Sequence, residues 1–233
     1  NEGGLVRIGA DLRKTVFGVK DGLDVQIKSV LVDRRGRLWV LGNDRIFMRA
    51  GDRFEPVHAE VPGSRGYPGF RILYEASDGT IYAGTAVFGA IALEEGKNPK
   101  VFAAGAASAN NVYSIYKTAD STLYIGAYDG LYRESKGVLE RSAPPGPAID
   151  RPVYFIIEDR KGRLWFGTDN GVYRWNGDDL LHFTVEDGLL GRETNRAACL
   201  VDSEGHVWIG TDRGVSVYRE EYDIRRKVFP AVT

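Results

Sequence analysis

The chain has 233 residues, of which 43% are hydrophobic and 27% charged, with a formal net charge of −1. That length can bury a sizeable core. The near balance of 31 Lys+Arg against 32 Asp+Glu leaves no electrostatic footprint for nucleic acid or an anionic membrane. No apolar run approaches the ~20 residues of a membrane helix, and the single cysteine, Cys199, excludes an internal disulfide.

In chain order, the first element is Gly4-Leu5-Val6-Arg7-Ile8, followed by Phe17 ahead of Asp21-Gly22-Leu23. Both recur later, as Gly171-Val172-Tyr173-Arg174-Trp175 and as Phe183 ahead of Asp187-Gly188-Leu189. From Val30 onward the chain repeats a unit. An apolar run (Val30-Leu31-Val32) leads into an Asp/Gly turn (Asp33 to Gly36), a second strand around Trp39, another turn and a third strand. The same order returns around Tyr82, Tyr124, Trp165 and Trp208, at separations of 43, 42, 41 and 43 residues. The turn position Gly36, Gly79, Ser121, Gly162, Gly205 keeps step with it. Asp, Asn and Gly at these places are hairpin signals, and no window carries a sustained helical period. With a weaker fourth strand, each unit is about four antiparallel strands in roughly 42 residues, the size of one propeller blade.

The expected fold is therefore all-β: a β-propeller of four-stranded antiparallel blades, five full repeats plus a leading half-blade. Residues 1–221 make the blades and 222–233 a tail, with Val228-Phe229 as a candidate last strand. The leading half-blade is left over from a closed set, so the chain is expected to be a piece of a longer propeller protein. One repeat, Trp39-Val40-Leu41-Gly42, has an extra residue before its glycine, which is read as a bulge.

Glu158–Arg174 carries the pattern E-D-x-x-G-x-L-W-x-G-T-x-x-G-x-x-R, and Val201–Tyr218 fits it closely. This resembles the two-component regulator propeller repeat, as does the linker Phe183–Asn195. The resemblance covers about Val30 to Tyr218, with the second and third repeats degenerate. It implies the extracytoplasmic (periplasmic or extracellular) sensor portion of a membrane receptor. In the parent protein such a portion is tethered to a membrane helix and an output domain, and is able to pair as a homodimer. It also implies a small-molecule ligand, a carbohydrate in many members, so that an oligosaccharide is the expected partner.

Among candidate sites, Asp33, Asp159 and Asp202 read as turn-capping residues rather than calcium ligands, since each turn offers one or two oxygens where calcium takes six to eight. The repeating aromatics Trp39, Tyr82, Tyr124, Trp165 and Trp208 read as packing between sheets. Cys199 reads as a buried, inert thiol. His58, His182 and His206 have no ligand spacing and read as solvated side chains. No catalytic residue, metal site or cofactor is expected, and the chain is read as a non-enzyme. A protein-interaction propeller is the alternative. A propeller lyase that opens streptogramin antibiotics comes third, because that chemistry needs a catalytic histidine with a metal nearby.

The ligand-binding candidates lie where the repeat varies. Eight residues before the turn position stand Lys28, Arg71, Tyr113, Tyr154 and Ala197, with Arg196 beside the last. Arginine can clamp a carboxylate or sulfate in bidentate fashion, and tyrosine offers a stacking face and a hydroxyl. Lys28, Arg71, Tyr113, Tyr154 and Arg196 are thus the expected binding set for a polar or acidic glycan.

Overall fold

A computed structural model describes residues 4–57, 68–95, 97–144 and 148–223. Among these, regular structure is strand, with short 3-10 turns and no α-helix. The chain divides into two compact units, Asn1–Ser142 and Ala143–Thr233.

The first unit opens with a two-stranded antiparallel sheet, β1 (Leu5–Ile8) and β2 (Lys14–Phe17). Three four-stranded antiparallel meanders follow. They are β3 (Ser29–Val32), β4 (Leu38–Leu41), β5 (Ile46–Ala50) and β6 (Arg53–Val57); then β7 (Ile72–Glu75), β8 (Ile81–Gly84), β9 (Ala90–Leu93) and β10 (Lys100–Phe102); then β11 (Val112–Lys117), β12 (Leu123–Ala127), β13 (Gly130–Ser135) and β14 (Val138–Arg141). The second unit holds one more meander, β15 (Val153–Glu158), β16 (Leu164–Thr168), β17 (Gly171–Trp175) and β18 (Leu180–Phe183). A three-stranded sheet, β19 (Thr194–Val201), β20 (Val207–Thr211) and β21 (Gly214–Tyr218), follows it. The candidate last strand at Val228-Phe229 lies outside the described residues.

Apolar faces of successive sheets meet. In the first unit Trp39, Leu41 and Ile46 pack with Ile81, Ala83 and Ile91 of the next sheet, and Tyr82 and Ala92 pack with Ile115, Leu123 and Ile125. In the second, Phe155, Trp165, Val172 and Phe183 pack on Val207 and Ile209, with Cys199 and Val201 beside them. Desolvation there pushes the Cys199 thiol up to about 12. Four of the five repeating aromatics are buried at 7% exposure or less, but Trp208 is 38% exposed, on a face of the last sheet that also shows Leu200 and Val215. That face has no covering sheet among the described residues.

The turn aspartate and the aromatic act together. Asp159 Oδ1 accepts the backbone amides of Lys161 (2.9 Å) and Arg163 (3.1 Å), and its Oδ2 accepts Arg163 Nε (2.6 Å) and Trp165 Nε1 (2.8 Å). Asp33 repeats this with Arg35, Arg37 and Trp39, and Asp202 with Glu204, His206 and Trp208. Burial works to raise the Asp33 carboxyl, but the hydrogen bonds from Trp39 and Arg37 outweigh it and hold the group below its ordinary value. In the two repeats with tyrosine, which has no indole N–H, the aspartate gives way to Ala76 and Thr118. The turn itself persists there, and Ser121 takes φ +71°, close to the +74° of Gly162.

The expected bulge in the first full repeat is absent. β4 pairs with β3 and β5 in unbroken register through Leu41, which stands two residues after the aromatic, where the other repeats have Gly84, Gly126, Gly167 and Gly210. The register shifts occur instead in β11, β15 and β19.

Side chains seven residues before the aromatic clasp the preceding turn in the first unit. Glu75 accepts the Arg34 amide (3.0 Å), and Lys117 Nζ lies 2.6 Å from Asp78. The hydrogen bond from Lys117 holds the Asp78 carboxyl down at about 2. A depressed carboxylate contributes stability that is present above its unfolded pKa near 4 and lost as pH falls through the folded value. Urea midpoints of the first unit should therefore drop between about pH 4 and pH 2, and Asp78→Asn should flatten part of that slope. An identical slope in the variant would show that the clasp contributes nothing.

Candidate functional site

The three register shifts fall on the candidate residues. In β11, Val112 pairs with Ala127 and Ser114 with Gly126, so Tyr113 is the extra residue. In β15, Val153 pairs with Thr168 and Phe155 with Gly167, so Tyr154 is the extra one. In β19 the shift is wider: Thr194 pairs with Thr211 and Cys199 with Ile209, leaving Asn195–Ala198 opposite Gly210 alone. Ala197 there takes φ +52°, and a Cβ on Gly210 would stand 2.7 Å from the Ala198 Cβ. Bulges re-aim side chains, and here they turn Tyr113, Tyr154 and Arg196 out of the pleat at the entry of the first strand.

The structure joins these residues in pairs. In the first unit the Arg71 guanidinium lies over the Tyr113 ring at 5.2 Å, and Tyr113 meets the edge of Tyr128 at 6.5 Å. In the second unit Arg196 lies over Tyr154 at 5.8 Å. Each pair couples neighbouring sheets and presents a cation on an aromatic face. Lys28 is not brought into either pair; its Nζ donates to Gln26 Oε1 (3.1 Å), which also accepts from Asn43.

Two buried polar atoms beside the Arg71–Tyr113 pair have no hydrogen-bond partner, Arg71 Nε and Asn111 Oδ1. A buried donor or acceptor left unmade costs about 1–3 kcal/mol. The sequence reading missed Asn111 and Tyr128. Tyr128 was detectable as a departure, since it stands in the turn where another repeat has Asp169; it is 53% exposed. In the second unit the corresponding turn is braced, with Arg151 Nη1 to Asp169 at 2.8 Å and Arg192 Nε to Asn170 at 2.6 Å.

The histidines differ from the expectation of solvated side chains. His182 stacks on Tyr173 at 4.2 Å and 5°, with Nε2 2.6 Å from the Asn170 carbonyl. His206 Nδ1 lies 3.0 Å from Asp202. Both are held by the hairpins that carry them; His58 lies outside the described residues. No helix of the described residues is long and apolar enough to cross a membrane.

Residues 148–170 match the model of the two component regulator propeller family. No curated protein sequence matches the chain. Among solved structures, the chain is similar to the extracellular domain of the hybrid two component system BT3049 from B. thetaiotaomicron. Identity is 20%, the TM-score 0.71, and the match covers 88% of this chain and 30% of that one. It is also similar to the extracellular domain of the one component system BT4673 from the same organism, at 18% identity, TM-score 0.70, and 94% and 32% coverage. A catalytically inactive virginiamycin B lyase from Staphylococcus aureus with quinupristin aligns at 16% identity, TM-score 0.71, and 93% and 72% coverage. The chain thus spans about a third of the length of the two sensor-system chains. These likenesses establish a β-propeller fold, and across residues 148–170 the chain carries the two component regulator propeller repeat.

Proposed function

We propose that the chain is a non-catalytic, ligand-sensing β-propeller module of a membrane-bound signal-transduction receptor, working outside the cytoplasm on an oligosaccharide with acidic groups. The observation that carries this reading is the pair of Arg–Tyr contacts, Arg71 on Tyr113 and Arg196 on Tyr154, each at the entry of a first strand and each with a bulged member. Tyr113 is buried under Arg71 and serves as its backing rather than as a stacking face, and a guanidinium so backed suits a carboxylate or sulfate. The extracellular placing of the two sensor-system domains supports the compartment. Because each pair spans two sheets, a ligand held there would tie neighbouring blades together. Shifting their packing is the step by which occupancy would reach an output domain.

The test is binding of the 233-residue chain to a glycan panel containing neutral, uronate-bearing and sulfated oligosaccharides. Acidic members should bind, and Arg71→Ala and Arg196→Ala should each lower affinity at least 10-fold, about 1.4 kcal/mol. Arg71→Lys should not restore it, since an ammonium lacks the planar fork. Unchanged affinity in both alanine variants, or no glycan binding, overturns the reading. Incubation with quinupristin should leave that compound intact; its conversion would move the chain to the lyase class.

A further inference from the structure

The sheet of β3 to β6 and the sheet of β7 to β10 do not close on each other along their whole length. A crevice of about 450 Å³ opens beside Trp39, Met48, Val57 and Leu93, within the roughly 300–1,000 Å³ of small-molecule sites. Cross-strand register matches three of these residues to the second unit. Met48 pairs with Trp39 as Arg174 pairs with Trp165. Val57 pairs with Ile46 as Phe183 pairs with Val172, and Leu93 pairs with Ile81 as Tyr218 pairs with Val207. In the second unit the guanidinium and the two rings meet. Arg174 lies 5.2 Å from Phe183 and 5.3 Å from Tyr218, and the rings are 5.8 Å apart. The first unit has a thioether and two short aliphatic chains in their place, so the space those rings take is left open over an apolar floor.

The rim carries both signs of charge. Arg35 and Arg37 reach Glu95 Oε2 at 2.7 and 3.4 Å, and Lys97 pairs with Glu94. Arg37 is anchored, with its Nε 2.6 Å from the buried Asp33 carboxylate and its guanidinium over Trp39 at 5.3 Å. The Arg35 and Glu95 side chains are 70% and 72% exposed, and a pair so solvated is held only weakly. A ligand that brings both a carboxylate and an ammonium can enter between the two partners and satisfy each of them. A ligand of one sign would leave one side of the rim without its partner.

We propose that this crevice is a binding site for a free amino acid with an aromatic side chain. Its α-carboxylate takes the outer N–H groups of Arg35 and Arg37, and its α-ammonium takes Glu94 and Glu95. Its ring lies on Met48, Val57 and Leu93. The fork of a guanidinium suits a carboxylate, and a thioether makes favourable contact with an aromatic ring. The site is separate from the Arg71–Tyr113 pair. Arg71 precedes β7, whereas the turn Asp78–Thr80 that borders the crevice follows that strand.

Calorimetric titration of the 233-residue chain with L-phenylalanine tests this, and saturable binding at one site is expected. N-acetyl-L-phenylalanine lacks the ammonium, L-phenylalaninamide lacks the carboxylate and L-alanine lacks the ring; each should bind at least 10-fold more weakly. Met48→Arg places in the crevice the side chain that the second unit carries and should abolish binding. Arg35→Ala removes an exposed rim charge, so it keeps the fold, which an unchanged urea midpoint verifies; it should weaken binding at least 10-fold. Absence of saturable binding, equal binding of any of the three analogues, or equal binding by either variant overturns the proposal.

Discussion

Asp159→Ala is expected to destabilise the second unit by about 3–5 kcal/mol, the usual cost of stripping one partner from a buried ion pair. The Asp159 and Arg163 side chains are 2% and 7% exposed and 2.6 Å apart. The substitution leaves the Arg163 guanidinium with Glu220 at 3.3 Å as its counter-charge, strands the Trp165 indole N–H, and removes the acceptor for two turn amides. Urea unfolding followed by tryptophan fluorescence reads the loss; a change below about 1 kcal/mol would show that the carboxylate is not the organiser of the turn. The other repeats supply the compensation. Where aspartate is missing, its two partners are missing as well: Ala76 goes with Thr80 and Tyr82, and Thr118 with Thr122 and Tyr124. The triple variant Asp159→Ala, Arg163→Thr, Trp165→Tyr should therefore be more stable than Asp159→Ala alone. Interaction within one network makes such effects non-additive.

That coupling shows what the sequence made legible and what it did not. The 42-residue spacing placed the first three strands of the complete sheets, and the aspartates were readable as turn caps because hairpins need a local acceptor where Gly supplies positive φ. The indole bond was not readable, since it depends on a second strand folding back over the turn. The binding candidates were found by position alone. Their pairing, Arg71 with Tyr113 and Tyr154 with Arg196, depends on bulges set by the packing of adjacent sheets. The bulge that the spacing pointed to, at Gly42, is absent, with regular pairing through Leu41, and the real ones leave no gap in the repeat length. Trp208 matched the packing pattern, yet its exposure depends on what lies against its sheet rather than on its own repeat.

Asp223 carries the other large expected effect. Its side chain is 2% exposed and lies 3.0 Å from Arg174 Nη1, itself 4% exposed; the Tyr218 hydroxyl donates to the same carboxylate at 2.9 Å. The guanidinium sits among the rings of Trp165, Phe183 and Tyr218 at 5.5, 5.2 and 5.3 Å, which supply apolar walls but no formal counter-charge. The residue that neutralises it comes from 49 positions further along the chain. Beside it, Glu220 lies 2.5 Å from Lys161 and 3.3 Å from Arg163. The segment leaving β21 is thereby fastened to the sheet before its own. Asp223→Ala leaves a buried cation unpaired and should cost about 3–5 kcal/mol, whereas Arg174→Met with Asp223→Leu, which replaces both charges by apolar side chains, should fall much nearer the parent protein. A double-mutant cycle on urea midpoints separates the two terms. If the single and double variants lose the same stability, the segment is held by its ring contacts alone. If the double variant recovers, charge fastens the segment, and a change in how these two sheets pack would be passed on to whatever follows Asp223.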